Sequence, residues 1–238
     1  MKRIYLYPLW LRLWHWFNAF LFLVLIVSGV SMHYSDQNSY FIPFKIAMLS
    51  HNIAGIILSA IFLFYVIQNI KSKNYKHYIP HIKGLFERIK IQAGFYLSGI
   101  FEGKPHPYEA SEQEKFNPLQ QITYFSIMFF LMPVIVISGI FMLFPELAPD
   151  EFLGMGGVWP MAILHIAVGF FLSIFMLGHV YLATTGDTVT SGFKAMLTGW
   201  HVHSGHDTDP HNINGFVIES ESGKINGNSG NNPSEADE

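Results

Sequence analysis

Four histidines, His15, His51, His165 and His179, stand inside stretches that are otherwise free of charge. An imidazole in an apolar stretch costs free energy unless a partner takes it up, so each position is a candidate for chemistry. His165 and His179 are fourteen residues apart. On a helix that spacing returns both to nearly one face, about 21 Å apart along the axis. Imidazole can ligate a metal, relay protons or bridge two helices by a hydrogen bond, and for any one of these histidines alone the bridge is an equal explanation. Cysteine is absent. That removes disulfides, iron–sulfur clusters, thiolate nucleophiles, type 1 copper and covalently attached haem. A metal or cofactor must therefore be held by His, Met or carboxylate.

The elements that position these histidines follow from composition. Half of the 238 residues are apolar, 22 of them Phe, and only 13% are charged, against about 25% in an ordinary soluble domain. With a mean hydropathy of +0.30, the chain reads as an integral membrane protein, and disorder, collagen and coiled coil are excluded for its bulk. Between Arg12 and Asp36 lie 23 uncharged residues, between Lys45 and Lys71 lie 25, between Lys115 and Glu146 lie 30, and between Glu151 and Asp187 lie 35. Each interval exceeds the roughly 20 residues a helix needs to cross the hydrocarbon. None alternates as barrel strands do, so four transmembrane helices are expected, spanning about 13–33, 46–69, 119–144 and 160–183.

Lys and Arg give the expected orientation. Lys2, Arg3 and Arg12 precede the first span, eight basic residues from Lys71 to Lys115 fill the middle loop, and the other two loops hold only Lys45. The positive-inside rule places both termini and the middle loop in the cytoplasm, with Trp10, Trp14, Trp16 and Trp200 at the inner interface and Trp159 at the outer one. The first apolar run is too long for a cleaved signal, and no small-x-small site follows it. Within 70–117, Ile82, Leu85, Phe86 and Ile89 are spaced for an amphipathic helix on the inner surface. Residues 1–200 form the membrane domain. Residues 201–238, with seven acids against one lysine, form a polar tail expected to be disordered. No internal repeat is evident.

Placed on these spans, the histidines pair by depth: His15 with His179 at the inner level, His51 with His165 at the outer level. Two imidazoles at one depth on facing helices are what a six-coordinate haem iron requires. Gly29, Gly55 and Gly169 fall on the same faces, where a missing side chain admits either a flat macrocycle or a neighbouring helix. Zinc is disfavoured because neither pair has a third ligand at its depth. His33, past the end of the first span, is the one rival ligand for the outer iron. The fold class is an all-α, four-helix membrane bundle holding two haems b.

These residues resemble a known group, the four-helix di-haem cytochrome b subunits of the bacterial cytochrome b561/nickel-hydrogenase superfamily, which serve formate dehydrogenase, uptake hydrogenases and thiosulfate reductase. The resemblance covers about 190 residues and rests on R-L-W-H-W-F-N at 12–18, H-N-I-A-G at 51–55, L-H-I-A-V-G-F at 164–170 and G-H-V-Y-L-A-T-T-G at 178–186. K-F-N-P-L-Q-Q at 115–121 looks most like the thiosulfate-reductase branch. The resemblance implies that His15 and His179 ligate an inner haem and His51 and His165 an outer one. It also implies a quinone, menaquinone or ubiquinone, beside the inner haem. Asn117 matches the family's quinone-loop Asn, whereas its Gly position reads Leu119.

The implied function is electron transfer across the bacterial inner membrane between the quinone pool and a periplasmic redox subunit, such as a molybdopterin enzyme, a hydrogenase or a multihaem cytochrome c. A self-contained superoxide oxidase of the b561 type is the alternative, and a haem-free transporter with structural histidines a third reading. Beyond quinone, the redox subunit and membrane lipid, no nucleic-acid partner is expected. Asn117 and Gln120 are the quinone candidates, although Asn117 followed by Pro118 equally reads as a helix cap. His201, His203, His206 and His211 in the tail, with Asp207 and Asp209, could bind a metal but read first as solvated polar residues, and His77, His81 and His106 read as surface residues of the middle loop unless one relays quinone protons.

Overall fold

The structure, a computed structural model, describes residues 2–35, 41–104, 106–108, 111, 114–152, 154–186 and 188–203. Four helices are long and apolar enough to cross a membrane: α1 (Leu9–His33), α2 (Phe44–Lys71), α4 (Pro118–Leu143) and α5 (Trp159–Ala183). Each begins at a proline. Pro8 and Pro43 occupy the N-caps of α1 and α2, and Pro118 and Pro160 the first turns of α4 and α5, where a missing N–H costs no helical bond. Two short helices flank them, α3 (Leu85–Gly94) and α6 (Ser191–Thr198). The helices pack chiefly as two hairpins, α1 with α2 and α4 with α5. Their shared core is Leu21, Ala54, Leu58, Ile127, Met132, Val168 and Leu172. Most other large apolar side chains of the four helices are exposed, Leu13, Phe20, Leu63, Phe130, Phe170 and Leu177 among them. Water would not tolerate that surface; hydrocarbon does.

Helix α4 is not regular throughout. Residues Ile127–Leu131 are wound as a π-helix, immediately before Met132 and Pro133. Pro133 has no N–H to give and would clash with the carbonyl one turn back, and the wider turn relieves both. The extra residue also rotates the first turns of α4 relative to the last.

The two ends of the bundle differ. One, the near end, carries residues 2–8, the described residues between α2 and α4, and α6 with the residues up to 203. There β1 (Lys2–Tyr5) pairs antiparallel with β4 (Trp200–His203), so the polar tail expected from residue 201 begins inside a strand. The sequence shows no hairpin turn between these two segments, which are separated in the chain by all four long helices. Arg12 donates to the Leu197 carbonyl and the Trp16 indole to that of Met196 at 3.2 Å, fastening α6 to α1. The far end carries the α1–α2 and α4–α5 turns, with a minimal ribbon of β2 (Glu151–Phe152) and β3 (Met155–Gly156).

The amphipathic helix starts later than its apolar spacing suggests. Ile82 precedes α3, which begins after Gly84 in a left-handed turn. Ile82 and Phe86 are exposed, while Gln92 and Phe95 are buried. His106 is half-buried, its ring 4.5 Å from that of Phe95 and its Nε2 3.2 Å from the Thr185 carbonyl. It ties the middle connection to the end of α5. The tail beyond residue 203, with His206 and His211, lies outside the described residues.

Candidate functional site

The depth pairing read from the sequence corresponds to two contacts. At the near end His15 of α1 and His179 of α5 face each other with ring centres 6.1 Å apart and planes 58° apart. At the far end His51 of α2 and His165 of α5 have ring centres 6.2 Å apart and planes 67° apart. With metal–nitrogen bonds of about 2 Å and each nitrogen about 1 Å from its ring centre, two imidazoles on opposite sides of one iron have centres about 6 Å apart. Among the described residues no group of three or more His, Asp or Glu side chains is placed to hold a metal. Two protein ligands per site is the number a porphyrin iron leaves open. The residues present fit that group.

At the far end the surroundings of the two rings match. Ser28 Oγ lies 3.0 Å from His51 Nδ1 and Ser138 Oγ 3.1 Å from His165 Nδ1. The next residue in each case is glycine, and a Cβ there would stand 3.4 Å from Cε1 of His51 at Gly29 and 3.1 Å from Cε1 of His165 at Gly139. Gly29 was a sequence candidate; Gly139, Ser28 and Ser138 were not. Gly55 and Gly169 instead meet Leu25 at 4.0 Å and Ile135 at 3.8 Å, side chains of their own hairpins.

The signal for Gly139, Ser28 and Ser138 is a repeat in the sequence. Residues 27–30 read V-S-G-V and 137–140 read I-S-G-I, and each is followed by H-x3-G-x2-L-S, at 51–59 and 165–173. The repeat is structural as well. Ser59 donates to Gly55 and Ser173 to Gly169, at 2.8 and 2.7 Å, and Leu58 and Leu172 occupy equivalent core places. The hairpins are two copies of one unit. Fourteen residues after His51, however, stands Tyr65, where the second copy has His179. The far-end pair is thus built symmetrically, and the near-end pair is not.

The near end is aromatic. Phe175 stacks on His179 at 5.6 Å, and the Tyr124 hydroxyl lies 3.3 Å from His179 Nδ1. His15 Nδ1 is buried without a hydrogen-bond partner. Tyr65, 1% exposed, stacks on Trp14 at 4.3 Å. Outside the spans, Lys115 donates to Asn74 Oδ1 at 3.2 Å and Asn74 to Asn69 Oδ1 at 2.9 Å. Burial holds the Lys115 ammonium below the usual lysine range. These three residues lead polar groups from the middle connection into the end of α2.

Asn117 and Gln120 are joined in a reciprocal capping box at the start of α4. Asn117 Oδ1 accepts from the Gln120 N–H at 2.9 Å, and Gln120 Oε1 accepts from the Asn117 N–H at 3.2 Å. The cap foreseen for Asn117 is therefore present. Its amide nitrogen also donates to the Tyr96 hydroxyl at 2.9 Å, so the box anchors the segment following α3.

Comparison with known proteins bears on the same region. Residues 6–199 match the family described as prokaryotic cytochrome b561. The chain is also 39% identical over 202 residues to the Escherichia coli (strain K12) protein named "Putative cytochrome YdhU", an overlap of 85% of this chain and 76% of that one. With both histidine pairs inside the matched span, the chain belongs to the prokaryotic cytochrome b561 family, membrane cytochromes that bind haem b and transport electrons.

Proposed function

We propose that this protein passes electrons across the bacterial inner membrane between the quinone pool and a periplasmic redox subunit, using two bis-histidine haems b. The observation that carries this reading is the pair of 6.1 and 6.2 Å ring separations, one at each end of a single helix. Haem b, when bound, supplies a reversible one-electron couple; the chain supplies ligation, spacing and proton access. His15 and His179 hold the near-end iron, and His51 and His165 the far-end iron. The near end is cytoplasmic, on the charge asymmetry of its loops, and the quinone reacts there. Asn117 and Gln120 lie where the middle connection meets the bundle, and Lys115, Asn74 and Asn69 offer protons a route from water. The partner subunit docks at the far end, on the periplasmic side.

Purified protein tests this directly. Acid acetone should extract two haems per chain. His15→Ala or His179→Ala should lower the ratio to one and abolish reduction by quinol. His51→Ala should also leave one haem, still reducible by quinol. A parent ratio of one or none overturns the assignment, as does unimpaired quinol reduction in a near-end variant.

A further inference from the structure

The far-end histidines are held by hydroxyls whose own protons are already used. Ser28 Oγ lies 2.6 Å from the Val24 carbonyl and 3.0 Å from His51 Nδ1. Ser138 Oγ lies 2.7 Å from the Val134 carbonyl and 3.1 Å from His165 Nδ1. A hydroxyl has one proton and two lone pairs, and a carbonyl oxygen can only accept. Each serine therefore donates to the carbonyl one turn back and accepts from the imidazole, which also has a backbone carbonyl as partner, that of Leu25 for His51 and that of Ile135 for His165. That fixes both rings as Nδ1–H, with the Nε2 lone pair bare. Both serines are 1% exposed, so no water competes for the bond.

Back-bonding by a serine in a membrane helix is ordinary by itself. Ser59 and Ser173 do it in this bundle without touching any histidine. Ser28 and Ser138 differ in adding the imidazole, and they do so twice, at equivalent positions of the repeat. The near end has no counterpart. His15 Nδ1 is unpartnered, and His179 Nδ1 has only the Tyr124 hydroxyl at 3.3 Å.

A ligating imidazole that donates its second N–H becomes a more basic ligand, and a more basic ligand favours the more positive iron. We propose that Ser28 and Ser138 are paired positioning residues that orient His51 and His165 for ligation and lower the reduction potential of the iron held between them. Their effect biases electrons away from the far end and toward the near end. The proposal rests on the ligation reading above, and the test keeps the two separable.

The experiment is potentiometric titration of the purified haem-loaded protein, following the two haems by absorbance, for the parent, S28A, S138A, the double alanine variant, S28T and S138T. Each alanine variant should raise the midpoint potential of one haem, the double variant should raise that same haem further, and the other haem should not move. Threonine keeps the hydroxyl and should hold the parent potential. Loss of one haem in the alanine variants, with both kept in the threonine variants, also supports a role for the hydroxyl. Two haems at parental potentials in the double alanine variant overturn the proposal. So does an equal shift of both haems, or loss of haem in alanine and threonine variants alike, which would mark a packing role. A parent with fewer than two haems overturns the ligation reading itself.

Discussion

Gly139 of α4 lies against the imidazole of His165 on α5, so closely that a Cβ at 139 would stand 3.1 Å from the ring's Cε1. Gly29 stands in the same relation to His51, at 3.4 Å. A methyl at 139 requires the ring to give by a few tenths of an ångström, and a branched side chain requires it to leave. Gly139→Ala should keep two haems with a perturbed far-end spectrum. Gly139→Val should drop the haem-to-protein ratio from two toward one, with the near-end haem intact. Gly29→Ala should be milder than Gly139→Ala. Two unperturbed haems in Gly139→Val would remove Gly139 from the site.

Topology follows from charge. Eleven basic residues stand before or in the first turn of α1, or from Lys71 at the end of α2 to Lys115 before α4, against Lys45 alone, in the first turn of α2, on the other side. Reporter fusions within 71–115 and after Trp200 should behave as cytoplasmic, and one within 145–158 as periplasmic. A periplasmic signal from the fusion after Trp200 would exchange the sides assigned to the two histidine pairs.

The closure of the near end depends on Gly199. Its φ is +87°, and a Cβ there would stand 2.6 Å from the Tyr5 ring and 2.7 Å from the Tyr7 carbonyl. Its carbonyl accepts from the Leu6 N–H at 2.9 Å. Gly199→Ala combines left-handed strain with a backbone clash and should cost about 1–3 kcal/mol, read as a lower melting temperature. Gly103, with φ +66° and open space around it, is the control. Gly103→Ala should cost no more than about 1 kcal/mol. Equal melting temperatures for the two variants would mean that the terminal ribbon contributes nothing to stability.

The sequence made the histidine pairs legible because helix periodicity and span boundaries fix depth, and depth is all that pairing requires. The same arithmetic found Gly29. It did not find Ser28 and Ser138, because a serine in an apolar helix looks like any other until the neighbouring helix is in place. The repeat was obscured by what differs between its copies. Tyr65 replaces a histidine, and the π-helical turn before Pro133 adds a residue, so that Tyr124 lies fourteen before Ser138 while His15 lies thirteen before Ser28. The β1–β4 ribbon joins segments almost 200 residues apart, and no local propensity encodes such a pairing.

The quinone candidates can be separated from their capping role. Asn117 caps α4 through its oxygen, and one of its two amide protons goes to Tyr96. The other is available to a quinone carbonyl. Aspartate caps a helix as well as asparagine does and suits the positive end of its dipole, but it has no proton to donate. Asn117→Asp should therefore leave haem content unchanged and stability within about 1 kcal/mol. If the amide anchors the quinone, quinol-dependent haem reduction should slow severalfold in stopped-flow traces. Asn117→Ala, which loses cap and donor together, should slow it and also lower the melting temperature. Parental quinol kinetics in a stable Asn117→Asp protein would move the site to Arg12, Trp16 or the connection near His106. Arg12 and Trp16 already donate to α6 carbonyls, and His106 contacts Thr185. A quinone there would have to displace a bond that now holds the near end closed, so substitutions at those positions would lower stability along with quinol kinetics.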